Sequence, residues 1–88
     1  MISIQYSKYF LRQANKLPKE QQNKLVNLLS LLQKDPFYPQ LHSKNLTGRL
    51  SGLYSFRITR EYRVIFKFNS PTEVQLIDVA HRKDIYKI

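Results

Sequence analysis

The spacing of apolar residues changes near Pro36, from a helical period before it to a strand period after it. Upstream, apolar side chains recur every three or four residues. Downstream, the segments "LYSFRI", "YRVIFKF" and "EVQLIDVA" are short, rich in β-branched and aromatic residues and bounded by turn residues, as strands are. Helices gathered before strands predict an α+β domain. The apolar positions of the two helical segments are Phe10, Leu11, Ala14 and Leu17, followed by Leu25, Leu28, Leu29 and Leu32.

Boundary residues divide the first half into a strand and a helical hairpin. The start, "MISIQY", alternates like a short strand, and Ser7 can then cap a first helix. Pro18 suits the first turn of a second helix, because its missing N–H would have no partner there. Pro36 disfavours helical backbone for Asp35 and should end that helix. We therefore predict two helices joined by a bend at Leu17 and Pro18.

The connections "TRE" and "NSP" in the second half are too short for a crossover, so the strands they join should be antiparallel neighbours. With the N-terminal strand, this predicts a curved antiparallel sheet of about four strands with the two helices packed on one face. The final segment, "HRKDIYKI", is expected to form a short tail or one helical turn. At 88 residues the chain fits a single domain spanning residues 1–88.

The sequence carries no signal for export or membrane insertion. Its N-terminus lacks a charged segment followed by an apolar run, and nowhere do about 18 apolar residues occur in succession. The absence of cysteine fits a reducing compartment. We therefore expect a cytoplasmic protein without a membrane partner.

Positive charge is the strongest global feature. Fifteen Lys and Arg residues against six Asp and Glu give a formal net charge of +9. Such a field attracts polyanions, so that nucleic acid, an acidic protein and an anionic membrane all qualify as partners. The arginines cluster late in the chain near aromatic residues, which favours recognition of phosphates and bases.

Two arginines are expected to lie side by side in the sheet. If Phe56 and Val64 face the helices, the pleat directs Arg57 and Arg63 to the opposite face, near cross-strand positions on either side of the "TRE" turn. Adjacent like charges are destabilising by a few tenths to about 1 kcal/mol. This arrangement therefore favours an anionic ligand or an acidic partner.

The same face and the C-terminal segment offer groups for cleaving RNA. Attack of the 2′-hydroxyl on the adjacent phosphate needs a proton acceptor, a proton donor and cations that offset charge on the pentavalent phosphorus. His81 and Tyr86 are titratable, and Arg82 and Lys83 add positive charge. His42 lies in a polar loop and is interpreted as a solvated residue. No glycine-rich phosphate loop, metal-ligand spacing or serine nucleophile motif occurs, so we expect neither a metal nor a cofactor.

The segment "SFRITREYRVIF", the "DPF" that closes the second helix, the "LTGRLSGLYSFRI" approach and the ending "VAHRKDIY" resemble the RelE/ParE superfamily of type II toxins. The resemblance implies a RelE-like fold and an endonuclease that cuts mRNA in the ribosomal A site and is inhibited by an acidic cognate antitoxin. It also implies that Arg57, Arg63, Arg82 and Tyr86 act on the scissile phosphate, with His81 as a further catalytic candidate. The remaining cations expected to contact RNA are Lys44, Arg49, Arg60 and Lys83.

The chain departs from this family pattern in two places, and the departures keep other functions open. Ser55 and Arg57 stand where RelE-like enzymes have lysines, and the glutamate base of YoeB-like enzymes would fall near Lys44. The general base is therefore unassigned: Tyr86 and His81 are candidate substitutes, and a third alternative is that the geometry of the bound substrate supplies most of the rate. Alternatives are a ParE-like inhibitor of DNA gyrase, which needs neither residue, and a chain that retains only antitoxin binding.

Overall fold

The computed structural model describes residues 1–86 and has two helices packed on a five-stranded sheet, which confirms the predicted α+β class. Short 3₁₀ turns at Pro39–Leu41 and Gly48–Leu50 flank the second strand. Within the described residues, no helix is long and apolar enough to cross a bilayer. The main elements are β1 (Ser3–Tyr6), α1 (Lys8–Ala14), α2 (Lys19–Lys34), β2 (Lys44–Asn45), β3 (Tyr54–Arg57), β4 (Tyr62–Ser70) and β5 (Glu73–His81).

The two helices of the hairpin begin and end near the boundary residues that predict them. The Ser7 hydroxyl accepts a hydrogen bond from the N–H of Phe10 at 3.0 Å and caps α1. Pro18 caps α2, which ends when Asp35 turns to extended backbone. One apolar position was predicted wrongly: Leu11 is 49 % exposed, because α1 is a single short helix with only Phe10 fully inside.

The predicted sheet was antiparallel and had about four strands, and the observed sheet differs from it at both edges. Strands β3, β4 and β5 are consecutive antiparallel neighbours, as their short turns predict. At one edge β1 pairs with β5 in parallel, since the helical hairpin supplies the crossover that a parallel pair needs. At the other edge the two residues of β2 add a fifth strand from within the polar loop. The strand order is β1-β5-β4-β3-β2.

One face of the sheet packs against the helices with the alternation predicted from the sequence. Burial of these side chains supplies the main stabilising free energy of a small domain. Phe56 and Val64 pair in register within this cluster, so the pleat directs the next pair, Arg57 and Arg63, to the opposite face. Its buried members from the sheet strands and the turn after β3 are Phe56, Ile58, Val64, Phe66, Val74, Leu76 and Val79, and those from the first half are Phe10, Leu17, Leu25, Leu28, Leu32 and Leu41.

The second face is covered by the C-terminal tail. Ile65 is fully buried although the pleat directs it away from the helices, and Ile85 is fully buried outside the helix-side cluster. Ile85 follows β5 in a turn, in which its N–H donates to the carbonyl of His81 at 3.0 Å. We infer that this turn, residues 82–86, covers the second face near Ile65. The last two residues of the predicted tail, Lys87 and Ile88, lie outside the described residues.

A carboxylate is buried on the second face, in the same row as Ile65. Asp78 pairs with Ile65 in register and is only 4 % exposed. Burial raises the pKa of Asp78 above its ordinary value of 3.8, and the hydrogen bond that its Oδ1 accepts from the N–H of Val79 at 2.7 Å opposes that rise. The ionised form of Asp78 is therefore less favourable in the folded protein than in the unfolded chain.

We expect Asp78→Asn to be more stable than the wild type at pH 7. When the pKa of a group is higher in the folded protein than in the unfolded chain, stability falls as the pH rises from the lower pKa through the higher one. Asparagine does not titrate, so the variant avoids this loss. Urea unfolding of both proteins at pH 7 and at pH 3 measures the difference, which should shrink or vanish at the lower pH. A difference that grows on acidification would contradict this assignment of the raised pKa.

Candidate functional site

Two arginines lie directly opposite each other at one end of the sheet. Arg57 of β3 pairs in register with Arg63 of β4, which confirms the predicted cross-strand position. Their Cβ atoms are therefore about 4.5 to 5.5 Å apart on the second face. The Nε of Arg57 is buried and has no hydrogen-bond partner among the described residues. The other N–H groups of two adjacent guanidinium groups are suited to binding an anion.

The turn between β3 and β4 carries a carboxylate that reaches the start of the tail. Glu61 Oε2 lies 3.2 Å from His81 Nε2 and 3.8 Å from Arg82 Nε. The backbone joins the same residues, because the N–H of Arg82 donates to the carbonyl of Glu61 at 2.7 Å. Thr59 fixes the turn, since its hydroxyl accepts the N–H of Glu61 at 3.1 Å. Arg82 is thus held beside the turn that joins the strands of Arg57 and Arg63.

Sequence reasoning missed Glu61 as a member of the site. It belongs to the tight turn "TRE", where a charged side chain is usually solvated. Its partners lie about 20 residues further along the chain, so only the length of β5 brings them to the turn. A lone acidic residue in an arginine-rich segment was the only local signal.

His81 is engaged at both ring nitrogens. Its Nδ1 accepts the N–H of Lys83 at 3.1 Å, which places the ring proton on Nε2, facing Glu61. Its ring packs edge-on against Tyr62 with centroids 5.4 Å apart, and Tyr62 packs against the helix-side cluster. The pleat therefore separates the imidazole from the arginine pair, which lies on the second face.

The other predicted residues of the tail point in different directions. The hydroxyl of Tyr86 is buried and has no hydrogen-bond partner among the described residues. Lys83 is exposed, and the side chain of Arg82 is half exposed. In this conformation Arg82 is open to a ligand, whereas the Tyr86 hydroxyl points inward.

The predicted RNA-contacting cations fall into two groups. Lys44 pairs opposite Ser55 and so lies on the same face as Arg57, one row away. Arg60 is exposed in the β3–β4 turn, next to Glu61. Arg49 is exposed in the 3₁₀ turn Gly48–Leu50, outside the strands that carry the arginine pair. The first two therefore lie beside the pair, and Arg49 stands apart.

An open pocket borders the arginine pair where β2 stops. Strand β2 pairs only with Tyr54 and Ser55, so the end of β3 has no strand beside it on that edge. The chain before β2 turns away at His42, whose φ of 51° lies in the left-handed region. The resulting cavity has a volume of about 450 Å³, and we call it the edge pocket. It is lined by Lys24, Leu28, Gln40, His42, Arg57, Ile58, Thr59 and Arg60.

The chemistry of this region is that of an anion site. The edge pocket is lined by three basic side chains, those of Lys24, Arg57 and Arg60, and, among the described residues that line it, by no carboxylate. Across residues 1–86, no three His, Asp or Glu side chains gather in a group that could hold a metal ion. Arg57 lines the edge pocket and pairs with Arg63, so it connects the pocket to the arginine pair.

Comparison with known proteins gives matches among solved structures alone. No protein-family model matches the sequence, and no curated protein matches it either. YafQ from E. coli strain BL21(DE3) superposes with a TM-score of 0.80 at 18 % identity, covering 98 % of this chain and 99 % of that one.

Two further solved structures match this chain over nearly their whole length. The RelBE2 toxin–antitoxin complex from Mycobacterium tuberculosis gives a TM-score of 0.77 at 24 % identity, with 92 % of this chain and 98 % of that chain covered. A YoeB/ParE toxin from Agrobacterium tumefaciens gives a TM-score of 0.77 at 18 % identity, with 92 % of this chain and 99 % of that chain covered. The chain therefore has the fold shared by RelE-, YoeB- and ParE-type toxins of toxin–antitoxin systems, as its motifs predict.

Proposed function

We propose that this protein is the toxin of a toxin–antitoxin system and acts as a metal-independent endoribonuclease on mRNA in the ribosomal A site. The observation that carries the proposal is the cross-strand Arg57–Arg63 pair, with Arg82 held by Glu61 beside the turn that joins their strands. Toxins with the same fold support the assignment to this class of system. The net charge of +9 supports a polyanionic substrate.

In the proposed reaction, the 2′-hydroxyl of RNA attacks the adjacent phosphate and expels the 5′-oxygen. Arg57 and Arg63 offset the charge that develops on the equatorial phosphate oxygens. Arg82 adds a third guanidinium, and Glu61 and His81 orient it through the contacts described above. The Tyr86 hydroxyl points inward, so its role as a proton donor requires the tail to shift when RNA binds.

The same surface suits an acidic antitoxin. RelBE2 was solved as a toxin–antitoxin complex, and our protein shares its fold. A segment rich in Asp and Glu would pair with the arginines and with Lys44, and would displace RNA both electrostatically and sterically. Each of these cations is then used twice, once for the substrate and once for the inhibitor.

Inhibition of DNA gyrase is the second candidate function. It is favoured by the inward Tyr86 hydroxyl and by the engagement of both His81 nitrogens, because a gyrase inhibitor needs no proton-transfer group. One solved structure with this fold is described as a YoeB/ParE toxin. The shared fold is compatible with both activities.

A cell-free translation assay, run in parallel with a gyrase supercoiling assay, distinguishes the two candidate functions. We expect purified protein to stop translation and to leave cut mRNA with 2′,3′-cyclic phosphate ends, while supercoiling proceeds normally. Inhibited supercoiling with intact mRNA would replace the proposal with the gyrase function. Intact mRNA and normal supercoiling would leave antitoxin binding as the remaining role.

A further inference from the structure

The edge pocket has the charge and size of a nucleotide site. Its cations come from three places in the fold: Lys24 from α2, Arg57 from β3, and Arg60 from the following turn. Leu28 and Ile58 supply an apolar wall. A volume of about 450 Å³ lies within the usual range for small-molecule sites, roughly 300 to 1,000 Å³, and exceeds what a bare phosphate needs. Gln40 and Thr59 add the polar groups that a sugar or base would meet.

His42 lines this pocket and has a left-handed backbone conformation at the end of the 3₁₀ turn Pro39–Leu41. Its φ of 51° and ψ of 42° are left-handed, a region that few non-glycine residues occupy and that is enriched at functional sites. The bend separates the 3₁₀ turn Pro39–Leu41 from β2. His42 is exposed, as the sequence indicates for a loop histidine, and it also forms part of the wall of the open pocket.

The two histidines therefore differ in what they can do. His81 uses both ring nitrogens within the protein, through Glu61 and the N–H of Lys83. His42 faces an open cavity together with Lys24, Arg57 and Arg60. A neutral imidazole is the side chain best suited to accept a proton near neutral pH.

We propose that the edge pocket binds the nucleotide that carries the attacking 2′-hydroxyl, and that His42 is the general base; this inference rests on the proposed RNA cleavage. A phosphate bound to Arg57 and Arg63 places its 3′-linked ribose toward the pocket, because Arg57 belongs to both. An imidazole nitrogen of His42 takes the 2′-hydroxyl proton as the O2′–P bond forms. The P–O5′ bond breaks, its electron pair leaves with O5′, which takes a proton from water, and His42 returns its proton to water.

The variant His42→Asn tests the general base. Asparagine tolerates the left-handed backbone and keeps hydrogen-bonding capacity, but it does not titrate. Single-turnover cleavage should fall by about 100-fold or more, the usual loss for a general base. The wild-type rate should rise with pH through the histidine range and then level, whereas the variant should lose that rise. Binding of a 2′-O-methyl oligoribonucleotide, which cannot be cleaved, should weaken far less than the cleavage rate falls, because the other lining residues are retained.

The pair Lys24→Gln and Lys34→Gln tests the pocket. Both lysines are exposed on α2, and they lie ten residues apart, about 15 Å along the helix axis. Each variant loses one charge, so long-range attraction changes equally. For the 2′-O-methyl oligoribonucleotide, Lys24→Gln should weaken binding and reduce the slope of log K against log salt by about 0.7, the loss of one single-strand phosphate contact. Lys34→Gln should leave that slope unchanged.

The outcomes distinguish this inference from the proposed function. Wild-type cleavage with an unchanged rate and pH profile in His42→Asn would overturn His42 as the base and leave the nuclease intact. Equal salt slopes in the two lysine variants would overturn the pocket as the nucleotide site. An inactive wild type that also fails to bind the oligoribonucleotide would overturn the nuclease and this inference together.

Discussion

Arg57→Ala is expected to lower RNA cleavage by at least about 100-fold, the loss that follows removal of one preorganised charge stabiliser. The expected effect is large because Arg57 pairs with Arg63 and also lines the edge pocket. The same change should leave the free energy of unfolding unchanged or raise it by up to about 1 kcal/mol, since it relieves repulsion between two adjacent cations. Single-turnover cleavage and urea unfolding of one preparation measure both.

Arg12→Ala is the matched control for Arg57→Ala. Arg12 is exposed in the last turn of α1, one helical turn from the exposed Lys8. The control removes the same charge and should retain nearly full cleavage. If Arg57→Ala lost no more activity than Arg12→Ala, the arginine pair would not be the phosphate site. A large loss of stability in Arg57→Ala would instead mark a structural role.

Ile85→Ala is expected to lower the free energy of unfolding by about 2 to 5 kcal/mol, the usual result of truncating a buried isoleucine. That is a large share of the roughly 5 to 15 kcal/mol that stabilises a typical domain. Ile85 is fully buried and belongs to the tail that covers the second face. Its truncation should release the segment that holds Arg82 and Tyr86, so cleavage should also fall at temperatures where the protein remains folded.

Urea unfolding and cleavage at 10 °C test this prediction, with Val26→Ala as the control. Val26 is 65 % exposed on α2, so its truncation should change stability by less than about 0.5 kcal/mol. An Ile85→Ala protein as stable as Val26→Ala would mean that the tail does not help to hold the sheet. An Ile85→Ala protein that was destabilised but fully active would mean that the placement of the tail does not matter for cleavage.

The parts of the fold that the sequence predicts are those with local causes. Ser7, Pro18 and Pro36 bound the helices through capping and backbone restriction. The tight "TRE" turn links β3 to β4 and so allows the predicted Arg57–Arg63 register. Alternation along β4 predicts which side chains meet the helices and which face away from them.

The features that escaped prediction depend on contacts between distant segments. The two residues of β2 carry no strand signal, because two residues cannot show a period. Glu61 reaches His81 and Arg82 only because β5 extends to the level of the turn. His42 lines a pocket only because α2 and the end of β3 supply the other walls. A local pattern in the sequence does not show which distant segments will contact each other.

The parallel pairing of β1 with β5 determines the point of synthesis at which the sheet can be completed. Ser3 lies opposite Glu73, so the first strand made must wait for the last one before the sheet can close. A nascent chain that has emerged only as far as β4 lacks both this closure and the segment that carries Arg82. A chain that stops after β4 is therefore expected to have neither the closed sheet nor the proposed cleavage of RNA.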